Sequence, residues 1–591
     1  MTETGPAAGT AAEELLLRLL SALLREDAVG LRSRGTVEER ADGRWLRVPG
    51  ASDGTALLLP VRADGFQSEY AARLPLLRTA PHGRRLTGAA EILAALGELA
   101  AAEDRAGFAA LTREYQDALA TLRLQAATAA EVTTVLEARH GGELADWRGL
   151  SGALAFDTLA ARAGHPLYPT GAARPGVPLD RLPRYAPEFA PRFALRWLAL
   201  PRDAVTVRGT GGERLDARWP TLADLGLPAL DGSHLALPVH PLTADEALRQ
   251  ALRATGPAAR AVLADRQRVE VAPTLSMRTV ALVRSPHVHL KLPLATSSLG
   301  LLNRRTVKPG TLTDGAAAQR LLETVTAREP RFRGRILHAD ETRYAHAGHE
   351  LLAVLVRRYP HGLEDCAVLP LAALLGRAPD GRLVIDHLAD RWFSGDPVAL
   401  LDAVLTPLLD WQTTLFGYGI ALESHQQNIS LLLDEHAGRT RVRLLLKDDD
   451  GPRINRVRLL DRLGADAPEP GEFDDPRTFV DNDRPVLDLF TTITVHLCAG
   501  AFAFALARHG RAPLDRSLDL VRDRLDASFR RLGDRPGQPG AVLRAAVLDA
   551  PRLPVKAMVT AGTLLTKTRS GASDINKHYT TGPNYLPRRH G

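Results

Sequence analysis

Two short β-rich runs, separated by a turn that contains Gly438, constrain the fold of this chain more than any other feature. The runs are residues 429–433 and 441–446. Apolar runs joined by a short glycine-containing turn predict an antiparallel hairpin. In such a hairpin, the residues before the first strand lie beside the residues after the second. The pattern therefore places residues 423–428 next to residues 447–451 at the open end.

The open end of this hairpin carries side chains suited to nucleotide chemistry. Asp448, Asp450 and the amide of Asn428 supply hard oxygen ligands, which Mg²⁺ prefers. His425 and Lys447 can neutralise phosphate charge. The arrangement parallels kinases, in which a loop Asn and a later Asp before Gly hold the metal ions. The alternative interpretation is that the acidic residues form a solvated surface turn.

A second group of polar residues surrounds another predicted hairpin. Ser276, Arg278 and Thr279 precede one strand, and Lys291 closes the next, with a turn at Ser285-Pro286 between them. Hydroxyl groups and arginine can chelate phosphate oxygens. The alternative for each residue is an ordinary surface position on a strand.

Composition and charge limit the possible partners and compartment. The net charge is only +6 over 591 residues, and no block of like charges occurs, so nucleic-acid binding has little support. The two cysteines, Cys366 and Cys498, favour a reducing compartment. Residues 1–27 lack signal-peptide features. The apolar run 489–507 contains threonines and a histidine, which predicts a buried helix rather than a membrane span. We therefore expect a cytoplasmic protein without a membrane partner.

Composition and hydrophobic periodicity divide the chain into three parts. Residues 1–150 are rich in Ala, Leu, Glu and Arg with helical spacing, which predicts a mostly helical part. Residues 151–370 contain short β-rich runs. Residues 371–591 return to helices and enclose the hairpin described above. The pattern predicts an α+β fold, and the length is consistent with two to four domains.

Several motifs, taken together and in order, resemble those of the NRPS-independent siderophore synthetases of the IucA/IucC family. The matching residues are Gly164-His165-Pro166, Arg174-Pro175-Gly176, Pro238-Val239-His240-Pro241, Ser276-Met277-Arg278-Thr279, Lys291, Thr296-Ser297, Glu423, His425, Gln427-Asn428 and Lys447-Asp448. The chain departs from the family pattern at Tyr168, Ala172, Leu242, Thr243 and Gly300. Gly300 stands near a usual arginine, whose place Arg304 or Arg305 could take.

The resemblance implies a cupped-hand architecture with a helical thumb (residues 1–150), a β-containing fingers domain (151–370) and a kinase-like palm (371–591). ATP would lie between fingers and palm, with Mg²⁺ as its metal. The substrate carboxylate would attack the α-phosphate, and an amine or alcohol would then displace AMP. The family also implies a homodimer.

The resemblance also implies roles for individual residues. His425 and Arg305 would stabilise the reacting phosphate and carboxylate. The predicted ATP-binding residues are Ser276, Arg278, Thr279, Lys291, Gln427, Asn428 and Asp448. The predicted Mg²⁺ ligands are Glu423, Asp448 and Asp450. The predicted substrate-binding residues are Thr296, Ser297, Arg304, His165 and Lys556.

The sequence leaves alternatives open. A kinase-like phosphotransferase is one rival, although Gln426 and Gln427 stand where a kinase loop has its base. A non-catalytic acid-binding protein is another. The acid could be citrate, a citrate monoamide, 2-oxoglutarate or a succinyl-type acid. His165 and His240 are either turn residues or site residues, whereas His287, His289 and His496 are expected to be structural.

Overall fold

The computed structural model describes residues 10–209, 215–216, 218–570 and 578–587. Helices and sheets are mixed along the chain, which confirms the predicted combination of both. The α-helices are α1 (Ala11–Arg25), α2 (Ala89–Gly97), α3 (Arg105–Ala127), α4 (Ala129–His140), α5 (Gly149–Ala163), α6 (Leu182–Tyr185), α7 (Glu246–Thr255), α8 (Pro309–Arg328), α9 (Val384–Trp392), α10 (Pro397–Gly417), α11 (Arg456–Leu463), α12 (Arg484–Leu489), α13 (Ala501–Arg508), α14 (Leu514–Arg531), α15 (Pro539–Leu543) and α16 (Lys567–Ser570).

The N-terminal part contains a six-stranded sheet, so the prediction that residues 1–150 are mostly helical was wrong for residues 36–86. Its strands are β1 (Thr36–Arg40), β2 (Gly43–Pro49), β3 (Ala56–Ala63), β4 (Tyr70–Ala72), β5 (Leu77–Ala80) and β6 (Arg85–Leu86). The Ala- and Leu-rich composition favours helices. However, the Asp42-Gly43 turn and the continuous apolar run of β3 form antiparallel pairs that outweigh this preference.

The second sheet has nine strands and occupies the β-rich middle of the chain. Its strands are β7 (Phe193–Pro201), β8 (Thr206–Arg208), β9 (His234–Val239), β10 (Val262–Leu263), β11 (Arg268–Pro273), β12 (Thr279–Leu282), β13 (Ser285–Lys291), β15 (Asp340–His346) and β16 (Ala353–Arg358). The predicted hairpin around Ser285 is confirmed, because β12 and β13 pair antiparallel with Thr279 opposite Lys291.

The third sheet contains the hairpin on which the sequence analysis was built. Its four strands are β14 (Ile336–His338), β17 (Ala367–Pro370), β19 (Ile429–His436) and β20 (Arg439–Leu446). β19 and β20 pair antiparallel from Ile429 opposite Leu446 to His436 opposite Arg439. This register puts the residues before β19 directly beside those after β20, as predicted.

Short strands and π-helices complete the C-terminal part. The strands are β18 (Ile420–Ala421), β21 (Arg453–Asn455), β22 (Phe479–Val480), β23 (Arg552–Lys556) and β24 (Tyr579–Pro583). Three segments are π-helical: Phe490–Gly500, Arg544–Leu548 and Thr560–Leu564. The first continues α12 into α13, and wide turns of this kind occur often near functional sites.

The apolar run predicted as a core helix lies in the long helical segment Arg484–Arg508. Among the described residues, this is the one helix long and apolar enough to cross a membrane, with a mean hydropathy of 1.8. Its apolar window is entirely buried against other parts of the protein. It shares a hydrophobic cluster with α10 and α14, which confirms the prediction of a core helix.

Replacing a buried side chain of this helix with alanine should measurably destabilise the fold. Phe502 is 0% exposed, so Phe502→Ala is expected to lower the free energy of unfolding by about 3–5 kcal/mol through lost burial and a cavity. The change would be measured by urea denaturation followed by circular dichroism. Val457→Ala is the control, because Val457 is 64% exposed and its truncation should change stability by less than about 0.5 kcal/mol. Equal effects of the two substitutions would contradict the assignment of Phe502 to the core.

Candidate active site

A cavity of about 280 Å³ lies at the open end of the β19–β20 hairpin and is lined also by the end of α5, the turn between β11 and β12, and the segment after β13. It collects residues that are far apart in sequence. The predicted site residues that line it are His165, Ser276, Arg278, Thr296, Arg305, Glu423, His425, Gln427, Asn428, Asp448, Asp450 and Lys556. The two half-sites inferred from the sequence therefore face one space.

Hydrogen bonds hold the loop before β19 against the residues after β20. The Lys447 amide donates to the Asn428 carbonyl at 3.1 Å. The Asn428 side chain donates back to the Glu423 carbonyl at 3.1 Å, and the Asn428 amide donates to the His425 carbonyl at 2.8 Å. These bonds fix the loop that carries His425 beside the loop that carries Asp448.

Asp448 is the electrostatic centre of the site. Lys291 donates to Asp448 and also, at 2.9 Å, to Asp450. Arg357 lies 3.5 Å from the same Asp448 carboxylate. Burial opposes ionisation of Asp448, but Lys291, Arg357 and Arg278 outweigh it and hold its pKa well below the usual range. Asp448 is therefore a permanent negative charge surrounded by cations.

Two residues that support Asp448 were missed by the sequence analysis. Glu341 accepts a hydrogen bond from the Asp448 amide at 3.0 Å and is ion-paired with Arg357. Both residues are buried, and Asp448 itself has φ +65°, a left-handed conformation rarely adopted by non-glycine residues. One sequence feature could have pointed to this pair: the charged residue Arg357 directly follows the apolar residues of β16.

Three arginines of the cavity form a positive pole close to the acidic pair Asp448 and Asp450. Arg174, Arg278 and Arg305 all line the cavity, although Arg174 was noted only as a motif residue. Burial, together with the neighbouring Arg278 guanidinium, lowers the pKa of Arg305 to about 9. Arg305 remains charged at neutral pH, and its proximity to other arginines favours a bound anion.

Burial lowers the pKa of both histidines that line the cavity, His165 and His425, and so favours their neutral forms. That His425 neutralises phosphate charge stays a prediction. Burial and, after it, the Lys556 ammonium lower the pKa of His425 to about 4. Because Nδ1 of His425 accepts from the Gln427 amide at 3.3 Å, its proton resides on Nε2 as a neutral donor. His165 both lines the cavity and caps its own turn by accepting from the Tyr168 amide at 2.9 Å.

Four predicted site residues lie outside the cavity lining. Thr279 is buried within β12, and Ser297 donates to the Leu301 carbonyl at 2.8 Å, so both support the backbone. Arg304 is ion-paired with Glu350 and is 61% exposed, which leaves Arg305 as the arginine of the site. Lys291 also lies outside the lining, where it forms ion pairs with the lining residues Asp448 and Asp450.

His287, His289 and His496, which were expected to be structural, lie outside the cavity lining, and so does His240, for which both roles were open. His240 is buried against the rings of Tyr185 and Phe193. His496 bonds the hydroxyl of Tyr585 at 2.8 Å and the Pro554 carbonyl at 2.9 Å. His289 packs on Tyr359, and His287 lies beside Arg218.

The predicted three-carboxylate magnesium site is not preassembled. Across the part of the chain that the structure describes, no group of three or more His, Cys, Asp or Glu side chains is arranged to hold a metal ion. The physical reason is that the Lys291 ammonium lies between Asp448 and Asp450 and binds both carboxylates. Glu423 lines the same cavity. Two carboxylates still fit Mg²⁺, which commonly takes one or two protein carboxylates and completes its shell with phosphates and water.

Comparisons with known proteins agree with this geometry. The fold matches the ATP-bound aerobactin synthetase IucA of Klebsiella pneumoniae with a TM-score of 0.71 at 19% identity, covering 98% of this chain and 100% of that one. The fold is thus that of the siderophore synthetases. Residues 153–376 match the IucA / IucC family, and residues 398–571 match the ferric iron reductase FhuF-like transporter family. The resemblance to the IucA/IucC family inferred from the motifs is thus confirmed for residues 153–376.

Curated relatives match the chain over part of their length. The uncharacterized protein y4xN of Sinorhizobium fredii is 30% identical over 50% of this chain and 51% of its own. Staphyloferrin A synthase of Staphylococcus aureus is 25% identical over 52% of this chain and 54% of its own. The chain thus spans about half the length of these relatives.

Proposed function

We propose that this protein is an ATP-dependent synthetase that adenylates a small polycarboxylic acid and condenses it with an amine or alcohol in siderophore biosynthesis. The observation that carries the proposal is the shared cavity. It joins the arginine pole of Arg174, Arg278 and Arg305 to the acidic pair Asp448 and Asp450. One pole suits phosphate and carboxylate anions, and the other suits the metal of a nucleotide.

In the proposed reaction, a carboxylate oxygen of the acid attacks the α-phosphorus of ATP and pyrophosphate leaves. The amine or alcohol then attacks the carbonyl carbon of the acyl-adenylate and AMP leaves. Arg278 and Arg305 would hold the two anions together against their mutual repulsion. His425 would donate a hydrogen bond from Nε2 to the reacting phosphate.

The remaining residues would bind the substrates. Ser276, Gln427 and Asn428 would position the nucleotide, and Lys556 with Thr296 would contact the acid. Asp448 and Asp450 would hold Mg²⁺, which screens phosphate charge when it is bound. The Lys291 ammonium would then leave these carboxylates and bind the phosphates.

Several broader features belong to the same proposal. Citrate, a citrate derivative and 2-oxoglutarate are the candidate acids, and the name staphyloferrin A synthase supports a siderophore product. We also propose the cupped-hand arrangement of thumb, fingers and palm, a homodimer, and a cytoplasmic location without nucleic-acid or membrane partners. A separate hydrophobic core in residues 195–356 supports the fingers domain.

A hydroxylamine-trapping screen tests the proposal. Purified protein with ATP, Mg²⁺ and each candidate acid should form a hydroxamate together with AMP and pyrophosphate. ADP with a phosphorylated product would instead indicate the kinase-like alternative. His425→Ala and Arg278→Ala should both lose activity by more than about 100-fold. Retention of full activity by both variants would exclude this cavity as the catalytic site.

A further inference from the structure

The carboxylate of Glu114, on helix α3, ties separate loops of the protein together. Its two oxygens accept hydrogen bonds from the hydroxyls of Thr170 and Thr563, each at 2.7 Å. Glu114 is only 2% exposed. Burial raises its pKa, and the two threonine hydrogen bonds oppose that rise. A carboxylate in such a place is costly to bury unless its hydrogen bonds are made.

Thr563 connects Glu114 to two further loops. The Thr563 hydroxyl donates to Glu114, and the hydroxyl of Tyr168 lies 3.2 Å from the Thr563 oxygen and also interacts with the Glu114 carboxylate. The Leu301 amide also donates to this oxygen at 3.4 Å. The neighbouring Leu302 amide donates to the Gly562 carbonyl at 3.0 Å. Three chain segments, 164–171, 298–303 and 556–564, thus meet at one buried point.

All three segments contribute to the wall of the active-site cavity. The first supplies His165, the second supplies Ser298 and Asn303, and the third supplies Lys556 and Met558. The described lining residues begin at Ala160, so helix α3 contributes none of its own. Any influence of Glu114 on the cavity therefore passes through the segments that it holds.

Close backbone contacts make the meeting point stiff. A Cβ atom at Gly107 of α3 would lie 2.0 Å from the Leu564 carbonyl oxygen. A Cβ atom at Gly300, where φ is +112°, would lie 2.7 Å from the Gly562 backbone. A second buried carboxylate, Glu26 of α1, accepts from the amides of Val559 at 3.0 Å and Thr560 at 2.8 Å. Segment 556–564 is therefore held in place by contacts with α3 and with Glu26 at the end of α1.

The opposite wall is supported independently. Lys291 binds Asp448 and Asp450, and Glu341, which is paired with Arg357, accepts from the Asp448 amide. Arg278 donates to the Thr306 carbonyl. The hydrogen bonds from Thr170 and Thr563 tie Glu114 to the other wall and not to this group. A disturbance at Glu114 should therefore displace one wall of the cavity relative to the other.

We propose that Glu114 is a positioning residue that sets the acid-binding wall of the cavity by joining the segments that carry His165, Asn303 and Lys556. The inference rests on the proposed function, because it takes Lys556 and its neighbours as contacts of the acid. It assigns the N-terminal part of the chain a role in the selection of the acid. Tyr168, at which the chain departs from the family pattern, takes part in the same hydrogen-bond network through its contact with Thr563.

The test compares Michaelis constants for the acid and for ATP. Glu114→Leu should raise KM for the acid by about tenfold and leave KM for ATP within about twofold, since displaced groups lose much of their binding contribution. Glu114→Gln, which keeps one acceptor, should show a smaller rise. Tyr168→Phe and Thr563→Val should change the same constant in the same direction. Asp117→Asn, at an exposed position one turn away on α3, is the matched control.

The outcomes separate this inference from the proposed function. Failure of the wild-type protein with every acid would overturn the proposed function and the inference with it. Wild-type turnover with unchanged acid KM in the variants, or with equal rises for acid and ATP, would overturn only the role of Glu114. If Glu114→Leu fails to fold, Tyr168→Phe and Thr563→Val decide by the same two constants.

Discussion

Replacing Arg305 with alanine is expected to lower kcat/KM for acid activation by about 100- to 1,000-fold. Arg305 lines the cavity beside Arg278 and Arg174, and its charge persists despite a pKa lowered by burial to about 9. Its loss removes a preorganised cation from the point where phosphate and carboxylate must meet. The measurement is the rate of hydroxamate formation at varied acid concentration.

The neighbouring residue provides the control for this prediction. Arg304 is exposed and ion-paired with Glu350 outside the cavity lining, so Arg304→Ala should change kcat/KM by less than about twofold. Equal losses in both variants would show that the effect comes from the loop and not from the guanidinium in the cavity. A loss in Arg304→Ala alone would reverse the assignment.

Substituting Asp448 with asparagine should have an effect of similar or larger size. The change removes one of the two carboxylates that bind Lys291 and leaves Arg357 with Glu341 alone. Removing one partner of a buried ion pair typically costs about 3–5 kcal/mol. It also removes a carboxylate that would hold the metal. We expect kcat/KM to fall by more than about 1,000-fold and the thermal midpoint to fall.

Asp450→Asn separates the two contributions. Asp450 shares Lys291 but is more exposed than Asp448, so its substitution should affect stability less. Activity and thermal unfolding would be measured on the same preparations. Wild-type turnover and stability in Asp448→Asn would contradict the central role given to this carboxylate.

The hairpin and its open end could be predicted because their determinants are local. An apolar run, a glycine-containing turn and a second apolar run fix a register, and the register fixes which polar residues meet. The approach of Lys291 to Asp448 spans 157 residues, and only the family motifs related them. The N-terminal sheet was missed because its strands are short and lie in a helix-favouring composition.

Other features of the site depend on tertiary packing that local pattern does not report. Arg304 and Arg305 are neighbouring residues of the same type, so the sequence does not distinguish them. Only the conformation of the loop decides which of the two lines the cavity. Glu341 and Glu114 look like ordinary strand and helix residues until their burial is known. The neutral state of His425 likewise follows from burial and from Lys556, which lies 131 positions away in the chain.

The fate of the carboxylate oxygen tests the account most directly. Acid labelled with ¹⁸O in its carboxylate would be turned over with ATP, Mg²⁺ and hydroxylamine, and the phosphorus products analysed by mass spectrometry. Attack of the carboxylate on the α-phosphorus, followed by displacement of AMP, predicts that one ¹⁸O atom appears in AMP. Label in inorganic phosphate, together with ADP, would show attack on the γ-phosphorus and contradict the proposed adenylation.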